Sequence, residues 1–264
     1  MPPTTASSLG FLFSCFMLMV VTSCSVKTYP SESQPITHSS WDSLLKKHVD
    51  DKGWVSYEGF IQDSSQLNRY LNLLGSNHPN AKNWSREERL AYWINAYNAY
   101  TVQLMIRHYP VESIKDIKKG IPFINSVWDI SFIQIEDATY DLNNIEHSIL
   151  RKEFNEPRIH FAINCASFSC PSLLNEAYTA DRLEEQLTRQ AKAFLADTRR
   201  NLITAQEVKV SRIFKWFKSD FTKNQSLLDF LRPYAPVDIS ADAKLTYLEY
   251  NWTINSQSKN SADL

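Results

Sequence analysis

Apolar positions recur at helical spacing through much of the chain. Stretches 41–49, 64–74 and 181–196 each carry the three-to-four-residue period of an amphipathic helix, and 85–109 extends it furthest. Ser85 opens that long segment with Glu88 three residues on, a capping-box pattern, and Pro110 stops it. Residues 111–118 add a turn of helix, while 55–60 read as a turn or short extended piece. Alternation over 132–140 predicts a hairpin around Asp137 and Ala138, after which Asp141 caps a helix running to about residue 153. Stretch 158–164 reads as a strand, 202–203 pairs with 208–210, and 213–217 and 225–231 are helical. The last ordered element is expected near 245–252, and no internal repeat is present. The pattern predicts an α+β fold: a predominantly helical single domain with a small, mainly antiparallel sheet.

Polar residues interrupt these apolar faces at a few positions. In the long helix, Ala91, Asn95, Asn98, Val102 and Met105 share one face, and a second apolar stripe runs beside it. Two amides one turn apart are therefore buried, and each costs about 1–3 kcal/mol if left unpartnered. They either bond an irregular loop crossing the helix or line a site. At about 100° per residue, Leu142, Ile145, Ile149, Leu150 and Phe154 form one apolar arc with Glu146 near its middle and His147 past its edge. A carboxylate facing a core needs a cation or several donors. In the 158–164 strand, Arg158, His160, Ala162 and Asn164 share one face. Asn95, Asn98, Glu146, Arg158, His160 and Asn164 are accordingly expected to form one buried polar network, with the asparagines and Arg158 contacting ligand.

The N-terminus changes the setting in which that network works. Residues 9–22 form an uncharged apolar run too short to span a bilayer, and Val21-Thr22-Ser23-Cys24 resembles a lipobox. Residues 1–23 are read as a signal peptide of lipoprotein type, with Cys24 lipidated. An ordinary secretory signal or a single anchoring helix are the alternatives. Residues 24–40 follow as a flexible tether, 41–255 as the globular domain and 256–264 as a disordered tail. This places the protein in the cell envelope, lipid-anchored and facing the periplasm or exterior, with the membrane as partner. The formal net charge of −1 and the lack of a basic block exclude nucleic-acid binding by counterion release. Cys15 leaves with the signal, so the domain keeps Cys165 and Cys170, too few for a cysteine-rich zinc site. No cofactor is implied, and a metal held by Glu146, His147 and His160 is the weakest reading.

The segments Ala91-Tyr-Trp-Ile-Asn-Ala-Tyr-Asn98, Leu142-Asn-Asn-Ile-Glu-His147, Arg158-Ile-His-Phe-Ala-Ile-Asn-Cys-Ala-Ser-Phe-Ser-Cys-Pro171, Ile213-Phe-Lys-Trp-Phe217 and Tyr247-Leu-Glu-Tyr-Asn-Trp252 occur in that order. Together they resemble the DUF547 family. Two positions depart from the family pattern: Asn251 stands where an acidic residue is usual, and Ala166 where a glycine is usual. The resemblance implies a shared fold and site rather than an activity. The chemistry read from the residues is a thiol-dependent hydrolase or acyltransferase acting on an amide, peptide or ester. Cys165 is its nucleophile, His147 or His160 its base, and Glu146 or Asn164 the orienting group. Backbone N–H groups of the Cys165–Cys170 turn are candidates for an oxyanion site. The competing reading is a structural Cys165–Cys170 disulfide in an anchored binding or scaffold domain for a small molecule or peptide.

Overall fold

A computed structural model describes residues 30–118 and 126–260. Four helices build the first half: α1 (Ser39–His48), α2 (Tyr57–Gln62), α3 (Ser64–Gly75) and α4 (Arg86–His108). The α4 capping box forms as expected, with the Ser85 side chain accepting from Glu88 N–H and the Glu88 carboxylate accepting from Ser85 N–H. Strands β1 (Ile133–Ile135) and β2 (Ala138–Tyr140) make the hairpin. Its turn is centred on Glu136 and Asp137, one residue earlier than expected, because Glu136 takes a left-handed φ of 49°. A π-helix (Asn144–Leu150) runs into the short α5 (Arg151–Glu153). Asp141 caps it by accepting from Asn144 N–H.

Stretch 158–164 is not a strand. Helix α6 (Ile159–Ala162) occupies it as a single turn, and Ile163 then turns extended. Pro157 favours such a start, since its ring fixes a helical φ at the first turn. Next come α7 (Leu183–Ala196), β3 (Leu202–Ile203), β4 (Glu207–Val210), α8 (Ile213–Trp216), α9 (Lys218–Phe221), α10 (Leu227–Leu231), β5 (Lys244–Tyr247) and α11 (Gln257–Asn260). β4 pairs antiparallel with β3 and parallel with β5. The described residues thus hold two small sheets in a mainly helical α+β domain, and the second of them is mixed.

Two apolar clusters meet along α6. The larger gathers around α1–α4 and the π-helix, and the smaller around Phe161, Phe194, Phe214, Phe221 and Phe230. Successive residues of a helix point about 100° apart, so Ile159 enters the first cluster, Phe161 the second, and His160 the seam between them.

The ends of the domain reach further than expected. The signal peptide and Cys24 lie outside the described residues, as do 24–29 of the tether. From Ser31 the tether stretch is docked. Ser33 donates to His78 O (2.6 Å), Trp84 Nε1 donates to Ser33 O, and His38 meets the Tyr70 hydroxyl at 2.7 Å. In the tail, Gln257 opens α11 and its N–H donates to Val55 O, so the chain is docked at 256–257, while 261–264 lie outside the described residues. Among the described residues no helix is long and apolar enough to cross a membrane.

Candidate functional site

Where the two clusters meet, a cavity of about 190 Å³ opens, with Glu146, His147, His160, Cys165, Cys170 and Tyr250 on its wall. Four of these are residues expected from the sequence. No strand face joins them, yet the helical turn of α6 still brings His160 to the seam.

Glu146 is 8% exposed, and its hydrogen-bond partner is the Tyr97 hydroxyl at 3.4 Å. Burial, then the charge of Cys165, push its carboxyl up to about 7. The π-helix sets its direction: Arg151 N–H reaches back five residues to Glu146 O, widening the turn. Arg151 also grips Asp220 through two contacts, 2.6 Å and 2.9 Å, and donates to His147 Nδ1 at 3.0 Å. A guanidinium only donates. His147 Nδ1 therefore accepts, and the single ring proton sits on Nε2. Burial, then Arg151, hold His147 below its ordinary value, which keeps the ring neutral.

His160 is 3% exposed, with Nε2 at 2.8 Å from Asp220 Oδ2 and its ring stacked on Phe217 at 4.0 Å. Burial alone raises the Asp220 carboxyl, but hydrogen bonds from His160 and Arg151 outweigh it and hold it well below the ordinary carboxylate range. His160 Nε2 is thus the donor and Nδ1 keeps the lone pair. Burial lowers His160 more than Asp220 raises it.

The cysteine loop is clamped from three sides. Asn98 takes Asn164 N–H at 2.8 Å and gives its amide to Ala162 O at 2.9 Å. Asn164 donates to Pro171 O and accepts from Ala166 N–H. The C-terminal segment pairs with the loop through Phe168 N–H to Thr253 O. Ala166 sits at φ 56°, the left-handed region that favours glycine. Cys165 Sγ lies 2.7 Å from Cys170 Sγ, 3.2 Å from the Tyr250 hydroxyl and 3.3 Å from Ser167 Oγ. Burial raises the Cys165 thiol, but hydrogen bonds from Cys170, Ser167 and Tyr250 outweigh it and hold the thiol below its ordinary value. The Cys170 thiol is pushed well up by burial and by Cys165. Both are free thiols, so the disulfide is not formed here. No hydrogen bond joins Cys165 to either imidazole among the described residues.

The remaining expected residues lie elsewhere. Asn95 bonds Tyr178 at both N–H and O (3.0 Å and 2.8 Å). Arg158 is held by Glu156 and Glu184, away from the cavity. Asn95, Asn98 and Asn164 give their amides to backbone and do not line the cavity, so they brace loops, the first of the two roles read from the helix face. The turn offers little to an oxyanion, because the N–H groups of Cys165, Ala166, Phe168, Ser169 and Cys170 already have acceptors. Among the described residues no three His, Cys, Asp or Glu side chains are grouped to hold a metal ion.

Sequence reasoning missed Arg151, Asp220, Tyr97, Tyr250 and an aromatic rim. Trp216 stacks on Trp252 at 5.8 Å, with Tyr250 at 4.5 Å and Trp128 at 5.7 Å from Trp252. Trp216 and Phe217 lie in the 213–217 motif, and Tyr250 and Trp252 in the 247–252 motif, which gave the available signal. These features define a helical α+β domain with a thiol and a carboxyl in one aromatic-rimmed cavity. Residues 81–195 match the family described as protein of unknown function, DUF547. That match holds the Glu146 and Cys165 segments and ends before Asp220 and Tyr250. No curated protein and no solved structure matches the chain.

Proposed function

We propose that this is an exported, lipid-anchored, thiol-dependent hydrolase or acyltransferase acting on an amide, peptide or ester. The observation that carries the reading is the Cys165 thiol, held by three hydrogen-bonding neighbours on the wall of a cavity that also contains Glu146 and two imidazoles. The charge of Cys165 raises the cost of ionising Glu146, so Glu146 holds its proton while Cys165 is a thiolate. In the first step Cys165 thiolate attacks the carbonyl carbon, forming a C–S bond. The leaving nitrogen or oxygen departs with the Glu146 proton. In the second step water, or an acceptor alcohol or amine, gives a proton to the Glu146 carboxylate and attacks the thioester. The C–S bond breaks and the thiolate returns. The His147 Nε2–H and the Tyr250 hydroxyl are donors for the transient oxyanion. His160 is oriented by Asp220 and keeps an acceptor nitrogen at the seam.

The test is alkylation of the full chain by iodoacetamide across pH, with Cys165 mapped by mass spectrometry, alongside release of nitrophenol and nitroaniline from acyl esters and anilides. Cys165 should react several-fold faster folded than in urea. Cys165→Ser should abolish turnover, and His147→Ala and His160→Ala should lower it. Equal alkylation folded and unfolded, or turnover surviving in Cys165→Ser, refutes the reading. The aromatic rim favours a second reading, a binding domain without catalysis. It predicts ligand-dependent thermal stabilisation with no turnover.

A further inference from the structure

The two sulfurs differ in surroundings as well as in position. Both line the cavity, but Cys165 is half-buried, whereas Cys170 is only 4% exposed. They are in contact at 2.7 Å, and Cys165 N–H points at Cys170 Sγ from 2.8 Å. The loop that carries them is fixed at both ends by the Asn164 side chain, and internally by Cys170 N–H to Ser167 O. Neither sulfur has to travel to meet the other. An accessible thiol backed by a buried partner is the arrangement that thiol–disulfide exchange needs, one sulfur attacking and the second resolving.

We propose that Cys165 and Cys170 form a redox-active dithiol that reduces small organic disulfides admitted through the aromatic-rimmed cavity. The thiolate of Cys165 attacks one sulfur of the disulfide. A new S–S bond joins Cys165 to that half, and the other half leaves as a thiolate that takes up a proton. Cys170 then loses its proton, attacks Cys165 Sγ and forms the intramolecular disulfide, expelling the second half as a thiol. The protein loses two electrons and two hydrogens, and one disulfide becomes two thiols. A low-molecular-weight dithiol reverses both steps and restores the pair. The order is set by access and by the hydrogen bonds to Cys165, which keep it the better nucleophile, while burial keeps Cys170 protonated until a mixed disulfide is in place. The cavity volume of about 190 Å³ favours a small partner over a protein disulfide.

The proposal shares the Cys165 thiol with the hydrolase reading but needs no acyl chemistry. The probe is 4,4′-dithiodipyridine added to the reduced full chain, with thiopyridone release followed by absorbance. Peptide mapping separates this pair from Cys15 and Cys24. Wild type should release two thiopyridones from the pair, end with Cys165 cross-linked to Cys170 and keep no adduct, and dithiothreitol should restore both thiols. Cys170→Ser should stop at a stable pyridyl adduct on Cys165. A lasting adduct on wild-type Cys165 beside a free Cys170, or faster modification of Cys170 than of Cys165, overturns the proposal. The wild-type outcome decides by itself if the variant does not fold. Ester turnover on the same sample tells this failure from a failure of the hydrolase.

Discussion

Replacing Glu146 by glutamine should stabilise the folded chain, and only above the ordinary carboxylate range. Burial and the Cys165 charge push the Glu146 carboxyl from its ordinary 4.5 up to about 7. Between those values the folded chain holds a proton that the unfolded chain has released. Stability therefore falls as pH rises through that window and levels off beyond it. At about 1.4 kcal/mol per unit, the gap is worth about 3 kcal/mol. The glutamine amide fills the same space and still offers an oxygen to the Tyr97 hydroxyl, but it has no proton to lose. Urea unfolding of wild type and Glu146→Gln should give matching stabilities at about pH 4, with the variant ahead by up to about 3 kcal/mol at about pH 8. The difference between the two curves cancels the opposing titrations of His147 and His160. A variant less stable than wild type at both pH values would show that Glu146 is ionised and paired inside the fold.

Substitutions at three further positions probe the surroundings. Asn98→Ala leaves Asn164 N–H and Ala162 O buried without their partner, and should cost roughly 2–5 kcal/mol in denaturant unfolding while slowing Cys165 alkylation. Ala166→Val places a β-branched residue at φ 56° and should cost about 1–2 kcal/mol or more. Ala166→Gly, which relieves the backbone but loses a buried methyl, should stay within about 1 kcal/mol of wild type in the same assay. Asp220 contributes stability above the ordinary carboxylate value, and this is lost as pH falls through its lowered folded value. Asp220→Asn should therefore flatten the acid limb of the stability–pH curve measured by thermal melts.

What the sequence disclosed followed the range of each signal. Amphipathic periods placed α1, α3, α4 and α7, and the Ser85–Glu88 pair marked the start of α4 to the residue. The buried amides of Asn95 and Asn98 were legible because polar positions on an apolar helix face have to be satisfied somewhere. The 158–164 stretch failed because Ile159, Phe161 and Ile163 alternate with polar residues as a strand would. Nothing local reveals that two separate clusters await Ile159 and Phe161. Pro157 was the one contrary cue. Asp220 was unreadable for a related reason: in its own neighbourhood it is one of two charged residues in a four-residue helix, and its meaning comes from His160, 60 positions earlier. The Ser, Thr and Pro content of 30–38 likewise resembles a linker, whereas docking depends on where Ser33 and His38 find partners.

Placing the site at the seam explains how ionisable groups persist inside so apolar a protein. A single core would bury Glu146 with no route to water, and a surface groove would leave its carboxyl and the Cys165 thiol at ordinary values. Between two cores, walls of aromatic rings remove solvent from one side while the cavity admits it from the other. The Arg151–Asp220 pair then fixes the imidazoles without lending either of them a net charge. It occupies the lone pair of His147 Nδ1 and the proton of His160 Nε2, which sets both tautomers, while burial keeps the rings neutral. The charge left to titrate near neutrality lies with Glu146 and Cys165. Its position is governed by the π-turn on one side and the Asn98–Asn164 clamp on the other, which is why a change at Asn98, outside the cavity, should be felt at the sulfur.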